Sequence, residues 1–226
     1  MIEYIFLVIF FIIAIIEGFG EHKDNKKIIY ITKPLLMPLL ILFYIFGVFE
    51  ATAAITRIDW FIVVALIGGC AGDIFLMLKD QDKWFIFGMG AFLVNQIFYI
   101  ISFFVSITNM MNFNIWGFFL LGPAILLLIF MVPRFINKTE DMKIPVLVYL
   151  VAILLMHIAA ILRLAEFQGL PFILVYIGSI SFIFSDATIA VNKWDTEVTH
   201  GRLIIMTTYV MAQFYITLGV LFTALL

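Results

Sequence analysis

Charge is what this chain lacks. Only 12% of its residues are charged, about half the share of an ordinary soluble domain, while 65% are hydrophobic. That ratio excludes a water-soluble globular fold. The 13 Lys and Arg nearly balance the 15 Asp and Glu, so the net charge is −2 and nucleic acid is not an expected partner. The single cysteine, Cys70, excludes an intramolecular disulfide and a cysteine-based zinc site. His22, His157 and His200 are scattered, so no metal centre is expected. A Gly-rich phosphate loop is missing, as is a nucleophile elbow with Ser-His-Asp spacing. Nucleotide hydrolysis and serine hydrolase chemistry are therefore set aside, and no cofactor is predicted.

What the chain has in abundance is apolar runs. A membrane helix needs ~20 mostly apolar residues. Runs of that kind fall at 2–20, 34–51, 58–78, 84–106, 115–132, 144–165, 170–192 and 202–225. They are too long for strands and lack the alternation of an outer-membrane barrel. The fold class predicted is all-α, a polytopic membrane protein with eight transmembrane helices in a single domain over 1–226. The first run does not read as a cleaved signal peptide, because its positive charges follow it and no Ala-x-Ala site is present.

The basic residues orient the spans. Lys23, Lys26, Lys27 and Lys33 fall in the first loop, Lys79 and Lys83 in the third, Arg134, Lys138 and Lys143 in the fifth, and Lys193 and Arg202 in the seventh. The even loops hold only Arg57 and Arg163. Cytoplasmic loops carry the Lys and Arg excess, so the odd loops are expected inside and both termini outside. The expected location is a bacterial inner or plasma membrane.

A charge in the hydrocarbon costs ~2.5–3.5 kcal/mol on insertion scales, so each one needs a reason. Asp73 and Asp186 stand out. They precede Lys79 and Lys193 by six and seven residues on helices that run the same way. At 1.5 Å per residue, both carboxylates lie ~9–10 Å from the cytoplasmic ends of their helices. Gly68-x-x-x-Gly72 and Ser181-x-x-x-Ser185 allow close helix approach beside them. Asn95, Gln96 and Tyr99 on the fourth span, and Tyr209 and Gln213 on the eighth, supply polar neighbours. Lys33-Pro34 opens the second span on the same side. Spans three–four and seven–eight also read alike, a hint of an internal repeat.

Two neighbouring carboxylates in a low dielectric share a proton, which offers one acid and one base near neutral pH. They activate water without a metal. A proton-coupled carrier of lipid or a small molecule also uses such a pair, and it is the alternative reading. An aspartyl intramembrane protease is disfavoured, since Cys70 stands where a G-x-G-D motif needs its first glycine. His157 reads as a hydrogen-bonded core residue. Arg163 and Glu166 read as an interfacial ion pair, and Glu17 and Glu50 as span-end residues that reach water or a headgroup.

Several motifs occur in a fixed order: K-P-L-L-M-P at 33–38, G-D-x-F-L-M-L at 72–78, F-x-x-G-x-x-x-F-L at 85–93, S-D-A at 185–187, N-K-W at 192–194 and Y-x-x-A-Q at 209–213. With the eight-span frame they resemble the YhhN-like membrane proteins, the lysoplasmalogenase family, over essentially the full chain. The resemblance implies a membrane hydrolase that cleaves the vinyl ether bond of lysoplasmalogens. Its products are a fatty aldehyde and glycerophosphoethanolamine or glycerophosphocholine. Asp73 and Asp186 match the family's two membrane aspartates, and Lys33 its basic residue before proline. Family members commonly have His where this chain has Gln96, so that position is left a hydrogen-bonding role. The expected partners are a lysophospholipid substrate and membrane lipid. Lys33, helped by Lys193 or Arg202, is expected to hold the phosphate. Asn95, Tyr99, Tyr209 and Gln213 are expected to orient water or the glycerol hydroxyl.

Overall fold

A computed structural model describes residues 1–78 and 81–225; Lys79, assigned above to the third loop, lies outside them. Eight helices follow in order: α1 (Ile2–His22), α2 (Lys26–Thr52), α3 (Trp60–Met77), α4 (Gln81–Val105), α5 (Gly122–Phe135), α6 (Lys143–Leu162), α7 (Leu170–Trp194) and α8 (Gly201–Ala224). Each lies in a segment long and apolar enough to cross a membrane. The chain is an all-α integral membrane protein, as its composition requires: helices satisfy every backbone group internally where no water is available. Among the described residues there is no strand.

The helices pair most extensively as α1–α2, α3–α4 and α7–α8, with α7 and α8 the most buried and α1 and α5 the most exposed. Small residues make these pairs close. A Cβ added at Gly68 would lie 3.0 Å from the Asn95 backbone nitrogen, so only glycine lets α3 meet α4 there. Of the two serines spaced like Gly68 and Gly72, only Ser185 bonds across helices, donating to the Ile205 carbonyl at 3.0 Å. Ser181 donates to Ile177 of its own helix.

One boundary differs from the sequence reading, and one span that starts where it was read has an unexpected first segment. α2 does not open at Pro34 but at Lys26, capped by the Asn25 side chain, which accepts from Lys27 N and Ile28 N at 3.2 and 3.4 Å. It runs through Pro34 and Pro38. Pro38 has no N–H to give the Pro34 carbonyl four residues back, and the Cys70 thiol of α3 approaches that carbonyl instead, at 3.6 Å. A neighbouring helix thus covers the backbone group that proline exposes. The fifth span, in turn, begins as a 3-10 segment, Ile115–Leu121, before α5 takes over at Gly122-Pro123.

Candidate functional site

Asp73 is buried on α3, one helical turn beyond Gly69. The Tyr209 hydroxyl lies beside it, and its Oδ2 has no closed hydrogen bond. Gln213 Nε2 donates to the Tyr209 oxygen at 3.1 Å, and the Tyr99 hydroxyl donates to Gln213 Oε1. Tyr209 and Gln213 share one face of α8 because they are four residues apart. The ring of Tyr209 is clamped edge-on by Phe92 and Phe182, with centroids 5.6 and 5.8 Å away. The absence of a side chain at Gly69 makes room for this chain of groups. A Cβ there would lie 2.8 Å from both Gln213 Nε2 and the Tyr209 hydroxyl. Asn95 stands next to the chain and ties α4 to α3 by donating to the Ala65 carbonyl at 2.6 Å.

Asp186, on α7, is half-buried and interacts electrostatically with Asp73. Its Oδ2 accepts a hydrogen bond from Tyr149 of α6 at 2.5 Å. Gln96 faces the same tyrosine from α4, fully buried, with neither amide atom in a closed hydrogen bond. Each aspartate is therefore served by a tyrosine, and beside each tyrosine lies a glutamine. Tyr149 escaped the sequence reading. Its signal was available: it is the one hydroxyl-bearing residue in the apolar run Ile144–Leu155.

Two cavities meet at this place. The first is a vestibule of about 510 Å³ at the end of the bundle where the basic residues gather. Lys26, Lys33, Lys193 and Arg202 line it, with Glu21 as the acidic member. It is built from the last turns of α1, α3 and α7 and the first turns of α2, α4 and α8, so these helix ends lie on one face. The second is an apolar cleft among α3–α7. Asp186 and Tyr149 are its polar lining against Met89, Phe92, Ile153, Ile183 and other apolar side chains. Leu76, Phe85 and Ile189 line both cavities and separate them.

Lys33 reaches the vestibule from within α2, not from its start. Its ammonium contacts Glu21 at 2.7 Å and Glu17 at 3.7 Å, and its charge also faces Asp73. Glu17 is therefore not a span-end residue reaching water. It is fully buried and accepts from Thr32 as well. The lysine that reads in sequence as a phosphate ligand is first a counter-ion to buried carboxylates. Burying a carboxylate without such a partner costs several kcal/mol. Lys193 lies 4.4 Å from the Phe85 ring centroid, in the wall between the cavities. Arg202 bonds Asp24 at the mouth.

Outside the site, the expected Arg163–Glu166 ion pair does not form. Arg163 is fully buried at the other end of the bundle, donates to Ser106 at 2.9 Å and lies over the Phe103 and Phe167 rings. Glu166 turns to the chain and accepts from Thr108 N at 3.0 Å and from its hydroxyl at 2.8 Å. These hydrogen bonds hold its carboxyl below the usual range. His157 bonds Ser179 at 2.8 Å, as a core histidine does. At the vestibule end, Lys138 at 2.5 Å and Arg134 at 2.8 Å bond Asp195 and hold it below the usual carboxylate range. That fastens the chain after α5 to the end of α7.

The arrangement holds two carboxylates in interaction, one of them lining an apolar cleft beside a cationic vestibule. Residues 28–220 match the sequence model of the YhhN family, which covers most of the chain. No curated protein and no solved structure matches it.

Proposed function

The chain belongs to the YhhN family, and on that premise we propose that it is a membrane-embedded hydrolase of lysoplasmalogens, cleaving their vinyl ether bond. One observation carries the reading. A cationic vestibule and an apolar cleft share a wall, and a carboxylate lines the cleft. A single-chain ether phospholipid has that division: a phosphate head, one apolar chain, and the reactive double bond between them. Lys26 and Lys193 meet the phosphate as point charges and Arg202 through its planar guanidinium, with Lys33 beside them.

In the proposed reaction the aspartate pair holds one proton. In this reading the charge is assigned to Asp73, which Lys33 faces, and the proton to Asp186, which lines the cleft. Asp186 delivers it to the second carbon of the vinyl ether. The C=C π pair forms the new C–H bond, and an oxocarbenium centre appears at the carbon bonded to oxygen. The Asp73 charge stabilises that cation at a distance. Water adds to the cationic carbon and returns a proton to Asp186, giving a hemiacetal. Its C–O bond to glycerol breaks, the glycerol oxygen takes up the hydroxyl proton, and a fatty aldehyde and a glycerophospho-headgroup leave. One water is consumed and no oxidant is needed.

The test is purified protein in detergent with a lysoplasmalogen. Aldehyde and free glycerophospho-headgroup are expected in equal amounts. A proton-coupled lipid carrier releases neither without a sealed membrane, and that result would replace this reading.

A further inference from the structure

We propose that Tyr149 is a positioning residue that decides which oxygen of Asp186 carries the reactive proton. The inference rests on the reading of the pair given above, and it adds a group that neither the sequence pattern nor the family match identifies.

Tyr149 lies on α6 and donates to Asp186 Oδ2 at 2.5 Å. An oxygen that accepts a short hydrogen bond from a phenol is committed as an acceptor. When the carboxyl is protonated, the proton is therefore placed on Oδ1. Asp186 and Tyr149 both line the apolar cleft, whose other lining is apolar. A substrate double bond there has Asp186 Oδ1 as its proton source, and the tyrosine removes the freedom of the acid to turn its proton away. The fully buried Gln96, which faces Tyr149 from α4, supports this. Its amide N–H is available to the phenol oxygen, which leaves the phenol proton for Asp186. An acid with one rotational state delivers its proton in the reactive geometry more often than one with two.

Tyr149→Phe removes a single oxygen and keeps the ring, so the cleft wall is preserved. With lysoplasmalogen as substrate, kcat is expected to fall about 10–100-fold, the loss of one hydrogen bond to a reacting acid, with KM within about threefold. A raised KM at unchanged kcat would make Tyr149 a substrate contact only and overturn the proposal; so would unchanged kinetics. If the wild-type protein releases no aldehyde, the functional reading fails by itself, and Tyr149 is then judged by infrared spectroscopy. The protonated-carboxyl C=O band that disappears in Asp186→Asn is expected to move to higher wavenumber in Tyr149→Phe, because Oδ2 loses its donor. A band that stays in place would overturn the positioning role.

Discussion

Asp73 and Asp186 carry the same functional group on helices that run the same way, yet the fold treats them differently. Asp73 is closed in: Tyr209, Gln213 and Tyr99 follow one another behind it, and Lys33 faces it from α2. Asp186 is half-buried, rests on one tyrosine, and lines a narrow apolar cleft. In the proposed reaction the first environment holds the charge. The second presents an acid to whatever enters. Environment, not residue type, separates the two roles, as where two carboxylates of one active site are driven apart.

The largest effect expected from breaking that comparison is at Asp186. Asp186→Asn is expected to slow aldehyde release about 10³-fold, within the range for a lost general acid. Asp73→Asn, which removes only a charge at a distance, is expected to cost about 10–100-fold, less than the ~10²–10³-fold lost with a group in direct contact. Equal losses in steady-state assays of both variants would erase the distinction.

The next effect tests the polar chain behind Asp73. Gly69→Ala places a methyl group 2.8 Å from the Tyr209 hydroxyl and Gln213 Nε2, so the chain must move. Overpacking of this kind costs about 1–3 kcal/mol and should lower both melting temperature and kcat. Gly90→Ala, with nothing within 4 Å of its Cβ, is the matched control and should change neither. Lys33→Met sharpens the comparison in another way. It strands Glu17, Glu21 and Asp73 without their cation, and it is expected to lower the melting temperature in detergent more than it raises KM. A raised KM with an unchanged melting temperature would return Lys33 to a pure phosphate ligand.

The smallest effect is a pH dependence outside the membrane. Asp195 is held below the usual carboxylate range by Lys138 and Arg134. Its folded value is lower than its unfolded one, so its contribution to stability is complete above ~3.9 and is lost as the pH falls through the folded value. Lys138→Ala should flatten the melting-temperature profile in that acidic window, by lowering stability slightly at neutral pH and leaving it unchanged at the acid end.

Much of this was legible in the sequence, for physical reasons. Apolar runs of membrane length specify helices directly, because no other element keeps its backbone satisfied in lipid. A lone aspartate in such a run is visible because so little else there is polar. Asn95, Gln96, Tyr99, Tyr209 and Gln213 were legible as polar neighbours for the same reason, and the fold brings them around the two aspartates. What sequence hides is pairing across helices. Nothing in α1 says that Glu17 and Glu21 close on Lys33, and Lys33 read alone looks like a topology signal or a free phosphate ligand. Tyr149 is visible as the one hydroxyl in its apolar run, but that it meets Asp186 is seen only in the fold. The start of α2 was misplaced because the apolar run begins at Pro34, whereas the helix continues back through the lysine-rich segment to its Asn25 cap.

The central claim is that a carboxylic acid protonates carbon in a membrane cleft. Turnover of a lysoplasmalogen by the purified protein in deuterated water tests it most directly, with the aldehyde trapped and analysed by mass spectrometry. The account predicts one deuterium on the carbon next to the aldehyde carbonyl and a kcat lower than in ordinary water. An aldehyde released at the same rate with no carbon-bound deuterium would contradict it.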